Sequence, residues 1–120
     1  MWVYSQSAGR LSREAYSASA YSGHLSGLNN PALQGDADIG PIPQGEWVIG
    51  PPRAMPRLGP EAMPLTPKPG TETFGRSGFW MHGDFAGDGA ELASHGCIVC
   101  ERTIRNTVAL SGDTDLQVTA

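Results

Sequence analysis

Frequent glycine and proline residues constrain this chain more than any other feature, because 16 of its 120 residues are glycine and 10 are proline. Proline lacks a backbone N–H donor and glycine destabilises helices, so long helices are unfavourable. Short strands joined by turns accommodate both residues. We therefore predict a mainly β chain. A chain of this length buries one modest core, which predicts a single domain over residues 1–120.

Hydrophobic patterns place the strands between these breaks. Short apolar or alternating segments predict strands, and the first two are joined by a hairpin at Ala8-Gly9. The predicted strands are residues 2–7, 10–13, 16–21, 46–49, 79–82 and 116–119. One short helix is expected over residues 101–110, ended by Gly112. Residues 22–45 predict a long irregular loop, and the proline-rich residues 51–70 predict an extended segment.

Charge and hydropathy exclude two classes of partner. The net charge is −4 and no stripe of lysine and arginine is present, so no nucleic acid is expected to bind. No apolar run is long enough to cross a bilayer, so no membrane span is predicted. The first residues lack the basic and apolar regions of a signal peptide, and we expect synthesis in the cytoplasm without one.

Two short motifs contain the residues needed for nucleophilic cysteine chemistry. Met81-His82-Gly83-Asp84 lies a short way upstream of Ser94-His95-Gly96-Cys97. The thiolate is the reactive form of cysteine, and a neighbouring imidazole stabilises it and carries its proton. We predict Cys97 as the nucleophile and His82 as the general base, brought together by a β-hairpin. The backbone N–H groups of Gly96 and Cys97 would face the oxyanion.

Five further residues are candidates for the site, and four of them also have an alternative role outside catalysis. A backbone carbonyl near Gly83 would hold the imidazole in one tautomer. His95 would assist electrostatically or pack beside the nucleophile, and Ser94 would contact substrate or hydrogen-bond within its turn. Arg76 would bind a substrate carboxylate or pair with an acidic residue at the surface. Asp84 would orient the imidazole, bind a substrate ammonium or cap a loop.

Cys97 and Cys100 also form a C-x-x-C pair, which is typical of redox sites. The redox motif normally begins a helix, whereas the β-branched Ile98 and Val99 favour an extended backbone. Residues three apart on a strand point to opposite faces, so Cys100 is predicted to be a buried neighbour. A zinc site built from both cysteines and the two motif histidines matches no familiar zinc spacing. We predict no metal and no cofactor.

The two motifs resemble the catalytic motif of the L,D-transpeptidase family, in which a histidine precedes a Ser/Thr-His-Gly-Cys segment. The whole chain is similar to the compact L,D-transpeptidase-like effectors associated with type VI secretion. The similarity includes residues 2–7, 21–23, 29–31, 40–43 and 75–79.

The resemblance implies a compact L,D-transpeptidase-like β-sandwich with one short helix after the catalytic cysteine. It implies a peptidoglycan-targeting enzyme that cuts tetrapeptide stems between a diamino acid and the terminal D-Ala. Water as acceptor gives L,D-carboxypeptidase activity, a free D-amino acid gives exchange, and a second stem gives transpeptidation. The implied partners are peptidoglycan stem peptides, a cognate immunity protein and a component of the secretion apparatus. The implied role is that of an antibacterial toxin delivered to the periplasm of a target bacterium.

Two departures from the family pattern modify this expectation. Eleven residues (83–93) separate His82 from Ser94, fewer than in typical wall-building members, which suggests an open site favouring hydrolysis and exchange. Val99 stands where those members usually have Arg or Asn, so a substrate carboxylate must find another cation. Two alternatives remain: a non-catalytic structural or binding module of a secretion or phage apparatus, and a thiol oxidoreductase using Cys97 and Cys100.

Overall fold

A mixed sheet of ten strands organises the residues that this computed structural model describes, which are 1–55, 59–83 and 96–120. The strands are β1 (Trp2–Ser5), β2 (Arg10–Arg13), β3 (Tyr16–Ser19), β4 (Tyr21–Ser22), β5 (Gly45–Ile49), β6 (Arg53–Met55), β7 (Gly59–Pro67), β8 (Trp80–His82), β9 (Ile98–Val99) and β10 (Asp115–Thr119). Their order in the sheet is β3-β2-β1-β10-β5-β7-β8-β9-β4, with β6 paired to β7. A ten-residue helix α1 (Arg102–Ser111) follows β9. The predicted mainly β class, with a short helix after Cys97, is confirmed.

The N- and C-terminal strands lie side by side in the middle of the sheet. β1 pairs with β10 in parallel, with Trp2 opposite Leu116, and β1 and β2 form the predicted hairpin. Both tryptophans of the core are fully buried: Trp2 packs edge-on against Tyr16, and Trp47 against Phe79 at 4.8 Å between ring centroids. Such aromatic residues bury more apolar surface than any others, so they dominate the stability of a small core.

The segments between the predicted strands contain more structure than their composition indicates. The proline-rich residues 51–70 include β6 and β7, which pair antiparallel. The irregular loop 22–45 includes two short 3-10 turns, at Leu25–Gly27 and Pro31–Leu33.

Helix α1 covers the part of the sheet formed by β7 and β8. Its buried residues are Ile104, Arg105 and Val108, which are spaced for one helix face. Gly112 ends the helix in the left-handed conformation with φ of +72°. Glycine adopts this conformation without strain, which explains why the helix ends there as predicted.

The pairing of β8 with β9 corrects the hairpin that we expected between His82 and Cys97. The two strands are parallel, with Met81 opposite Ile98 and His82 opposite Val99. Parallel neighbours require a crossover of a dozen residues or more, and residues 83–97 are long enough to provide it. His82 therefore ends β8 and Cys97 directly precedes β9, its neighbour, which runs in the same direction.

Candidate active site

The parallel pair of β8 and β9 brings His82 and Cys97 to one face of the sheet. Cys97 directly precedes β9, and the register places it beside Trp80, two residues before His82. Side chains alternate along a strand, so His82 shares its face with Trp80 and hence with Cys97. A strand spacing of about 4.8 Å and a rise of about 3.3 Å per residue place their Cα atoms about 8 Å apart. Both side chains are buried.

The carbonyl of Gly83 selects the tautomer of His82. Nδ1 of His82 lies 2.7 Å from the Gly83 oxygen. A carbonyl oxygen only accepts hydrogen bonds, so Nδ1 must donate and carry the proton of the neutral ring. Nε2 then holds the lone pair and is the atom that can accept a proton. The end of the strand is fixed as well, because the N–H of Cys100 donates to the carbonyl of His82 at 3.0 Å.

Cys97 is a thiol in the resting site. Burial raises the pKa of Cys97 to about 11, although the backbone N–H of Trp80 and the positive charge of Arg76 both act to lower it. The thiol makes a long hydrogen bond to the carbonyl of Gly78, with Sγ 3.9 Å from the oxygen. Since the thiol is protonated at neutral pH, nucleophilic attack requires a base to remove its proton.

Arg76 lies beside the nucleophile rather than at the surface. Its guanidinium donates to the carbonyls of Pro41 at 2.7 Å and Gly40 at 3.0 Å, and also to the carbonyl of Gln34. Burial lowers the pKa of Arg76, and the nearby Asp36 and Cys97 act to raise it. The alternative of a surface ion pair is therefore wrong. Binding of a substrate carboxylate by Arg76 stays a prediction.

Only glycine fits immediately before the nucleophile. The φ angle of Gly96 is +91°, and an added Cβ would lie 2.3 Å from Nη2 of Arg76. The left-handed conformation strains any residue with a side chain, and the guanidinium occupies the space that a side chain would need. This turn delivers Cys97 to the start of β9. The use of the Gly96 and Cys97 N–H groups as an oxyanion hole stays a prediction.

A cavity of about 490 Å³ opens where β8 and β9 end. Its walls include Ala20, Tyr21, Gly83, Val99, Arg102 and Arg105. Cys100 also lines this cavity, whereas Cys97 does not, and both thiols are free. Burial raises the pKa of Cys100 to about 12, so this thiol is protonated too.

Arg105 is a residue of this region that the sequence reasoning missed. Its side chain is buried, and burial lowers its pKa. Nε donates to the carbonyl of Cys100 at 3.2 Å, and Nη1 donates to the carbonyls of Pro60 at 2.7 Å and Glu61 at 3.1 Å. The sequence feature that could have indicated its burial is its position next to Ile104, on the apolar face of the predicted helix.

Three of the predicted site residues, Asp84, Ser94 and His95, lie outside the described residues. Their roles stay predictions. Within the described residues, no helix is long and apolar enough to span a membrane.

Comparison with known proteins adds a family and a similar fold. A family model described as the Tlde1 domain matches residues 16–117. The solved structure of Bdellovibrio bacteriovorus Bd1075 is similar to this chain, with a TM-score of 0.64 and 16% sequence identity. The match covers 97% of this chain and 46% of that one, so this chain spans less than half the length of Bd1075. No match was found among curated protein sequences.

Proposed function

We propose that the chain, which belongs to the Tlde1 domain family, is a cysteine enzyme acting on peptidoglycan stem peptides. Membership of this family is consistent with a type VI secretion effector. The observation that carries this proposal is the β8–β9 register, which puts a buried histidine and a buried cysteine on one face of adjacent strands. The Gly83 carbonyl supports it further, because it leaves Nε2 of His82 as the basic nitrogen.

The first half of the reaction forms a thioester. Nε2 of His82 accepts the thiol proton as Sγ of Cys97 attacks the carbonyl between the diamino acid and the terminal D-Ala. The N–H groups of Gly96 and Cys97 stabilise the oxyanion. The C–N bond then breaks, the D-Ala amine takes the proton from the imidazolium, and the acyl group remains on sulfur.

The second half releases the acyl group to an acceptor. Water attacks the thioester while His82 removes its proton, and the thiolate that leaves is reprotonated by the imidazolium. This sequence is an L,D-carboxypeptidase reaction. A free D-amino acid in place of water gives exchange, and a second stem gives an L,D-transpeptidase cross-link.

Arg76 assists by stabilising the thiolate. Its guanidinium is close enough to Cys97 to lower the pKa of the thiol, and it lies in a buried setting where charge interactions are strong. The Trp80 N–H acts in the same direction. These two groups offset part of the cost of creating a negative sulfur inside the protein.

Peptidoglycan as substrate places the activity outside the cytoplasm. An effector of type VI secretion would reach the wall by injection into the periplasm of a target bacterium. Cutting or capping tetrapeptide stems would deprive that cell of donors for cross-linking, and the producer would need a cognate immunity protein.

Incubation of the purified protein with disaccharide tetrapeptides, followed by mass spectrometry, tests the proposal. We expect a tripeptide product in water and an exchanged product when a D-amino acid such as D-Met is added. Cys97→Ala should give neither product, because it removes the nucleophile. The matched control is Cys100→Ser, which should keep most activity because the sulfur of Cys100 takes no part in the proposed reaction. Wild-type product yield from Cys97→Ala would overturn the mechanism, and equal losses in both variants would favour an oxidoreductase.

A further inference from the structure

The cavity at the ends of β8 and β9 contains an arrangement that the proposed reaction leaves unused. Gly83, which lines the cavity, directly follows His82, and Val99, which also lines it, lies two residues after Cys97. Its volume of about 490 Å³ is within the range of small-molecule sites. A stem peptide bound at Cys97 would have this cavity within reach.

The buried guanidinium of Arg105 presents a nitrogen to this cavity. Its Nε and Nη1 atoms are held by three backbone carbonyls, which fix the plane of the group. Nη2 makes no hydrogen bond within the described residues, and it lies 2.6 Å from the position of an added Cβ on Gly83. Because Nη2 faces the cavity and has no acceptor among the described residues, an anionic ligand there would accept charge-assisted hydrogen bonds from it.

The start of α1 adds a second feature that favours an anion. Glu101 is the N-cap of the helix and its side chain makes no capping hydrogen bond. The first backbone N–H groups of a helix attract negative charge, and the side chain of Arg102 adds a positive one. Arg102 is only loosely paired, with Nη2 3.5 Å from Oε1 of Glu61. Within the described part of the chain, the acidic residue of the cavity wall is Glu101, and it is exposed.

We propose that this cavity binds a carboxylate of the donor stem through Arg105, Arg102 and the start of α1. The inference rests on the proposed function, because it assigns part of the substrate of that site. Val99 offers no charge, so α1 provides the cations. The carboxylate would be bound by the Nη2 donors of Arg105, with Arg102 closing over it.

The distance from the nucleophile selects which carboxylate this is. An extended chain rises about 3.3 Å per residue, so Val99 lies about 7 Å beyond Cys97. Glu101 lies at most about 14 Å beyond Cys97. The carboxylate of the terminal D-Ala is next to the scissile bond and is too near. A carboxylate on the side chain of the diamino acid, or on the residue before it, lies at a suitable distance.

Binding of chemically matched stems to the Cys97→Ala protein tests the inference. Calorimetry would compare three disaccharide tetrapeptides: one with free carboxylates, one amidated on the diamino acid side chain, and one amidated on the preceding residue. We expect one of the amidated stems to bind about tenfold to a hundredfold more weakly, as for loss of a charge-assisted hydrogen bond. That penalty should shrink when Arg102→Gln is added. Arg10→Gln, a change at an exposed arginine on β2, should leave the penalty intact.

The outcomes separate this inference from the proposed function. If wild-type protein turns over all three stems and their affinities are equal, the carboxylate site is wrong and the reaction stands. If no stem is turned over, the proposed reaction is wrong, and titration with N-acetyl-D-glutamate decides the site alone. Chemical-shift changes of the backbone amides of Gly83 and Arg102 on titration would support the site, if the change at Gly83 is lost in Arg102→Gln. An absence of such changes would overturn it.

Discussion

Replacing Gly96 with alanine perturbs the contact between the nucleophile segment and Arg76. The new Cβ would lie 2.3 Å from Nη2 of Arg76 and 3.1 Å from Cε1 of Phe79. The guanidinium cannot withdraw easily, because it donates to the carbonyls of Gly40 and Pro41. The φ angle of +91° at Gly96 adds backbone strain to this collision.

The expected loss follows from these two effects. The left-handed backbone costs an alanine about 1–2 kcal/mol. Loss of one hydrogen bond from a buried charged group adds about 1.5–3 kcal/mol. The free energy of unfolding should therefore fall by about 2.5–5 kcal/mol. Gly112→Ala is the matched control, because its φ is +72° but no described atom lies within 4 Å of the added Cβ. It should lose about 1–2 kcal/mol.

Urea unfolding followed by tryptophan fluorescence measures both losses under the same conditions. The difference between the two variants isolates the collision with Arg76. Equal losses in Gly96→Ala and Gly112→Ala would refute the argument, because Arg76 would then yield at no cost.

Three further perturbations test the electrostatics of the chain. The pKa values of Cys97 and Cys100 are raised by burial to about 11 and about 12, so both favour the folded state only while protonated. Stability should fall by about 1.4 kcal/mol per pH unit per thiol between about pH 9 and the folded-state pKa of that thiol, and Cys100→Ser should reduce that slope in urea titrations. Arg76→Gln should slow alkylation of Cys97 severalfold at pH 8, because the charge that lowers the thiol pKa is lost. Arg76→Lys should keep part of the rate. Equal alkylation rates in wild type and Arg76→Gln, measured by intact mass, would contradict this. The hydrogen bond from Arg13 holds the pKa of Asp113 well below its usual range, so stability should decline as the pH falls below about 3.9. Arg13→Gln should weaken that decline in urea midpoints compared at pH 3 and pH 6.

Local hydrophobic patterns in the sequence were sufficient to predict the strand and the helix next to the site. The apolar run before His82 predicted β8, and the spacing of Ile104 and Val108 predicted α1, because both patterns reflect burial on one face. The direction of β9 relative to β8 was not predictable in the same way. It depends on the path of residues 83–97, and their Gly- and Asp-rich sequence fits a hairpin loop as well as a crossover.

The burial of two arginines was the other feature that could not be predicted from the sequence. Arg76 and Arg105 each donate to at least two backbone carbonyls from distant segments. Arginine is usually exposed, so its type argues against burial, and the carbonyls that compensate for it exist only after folding. Both arginines lie next to a glycine of the two motifs, Gly96 and Gly83, which explains the need for glycine at these positions.

The pH dependence of Cys97 alkylation tests most directly whether His82 is its base. The experiment uses a Cys100→Ser background, so that only one thiol reacts, and it compares His82→Ala with His24→Ala as a control histidine change. With His82 present as the base, alkylation near neutral pH should be at least about tenfold faster than in His82→Ala, because a positioned general base accelerates proton transfer by about 10²–10⁴-fold. His82→Ala should lose this rate at neutral pH and leave a rate that rises only toward the thiol pKa of about 11. A profile in His82→Ala that overlaps those of the parent and His24→Ala would contradict the account.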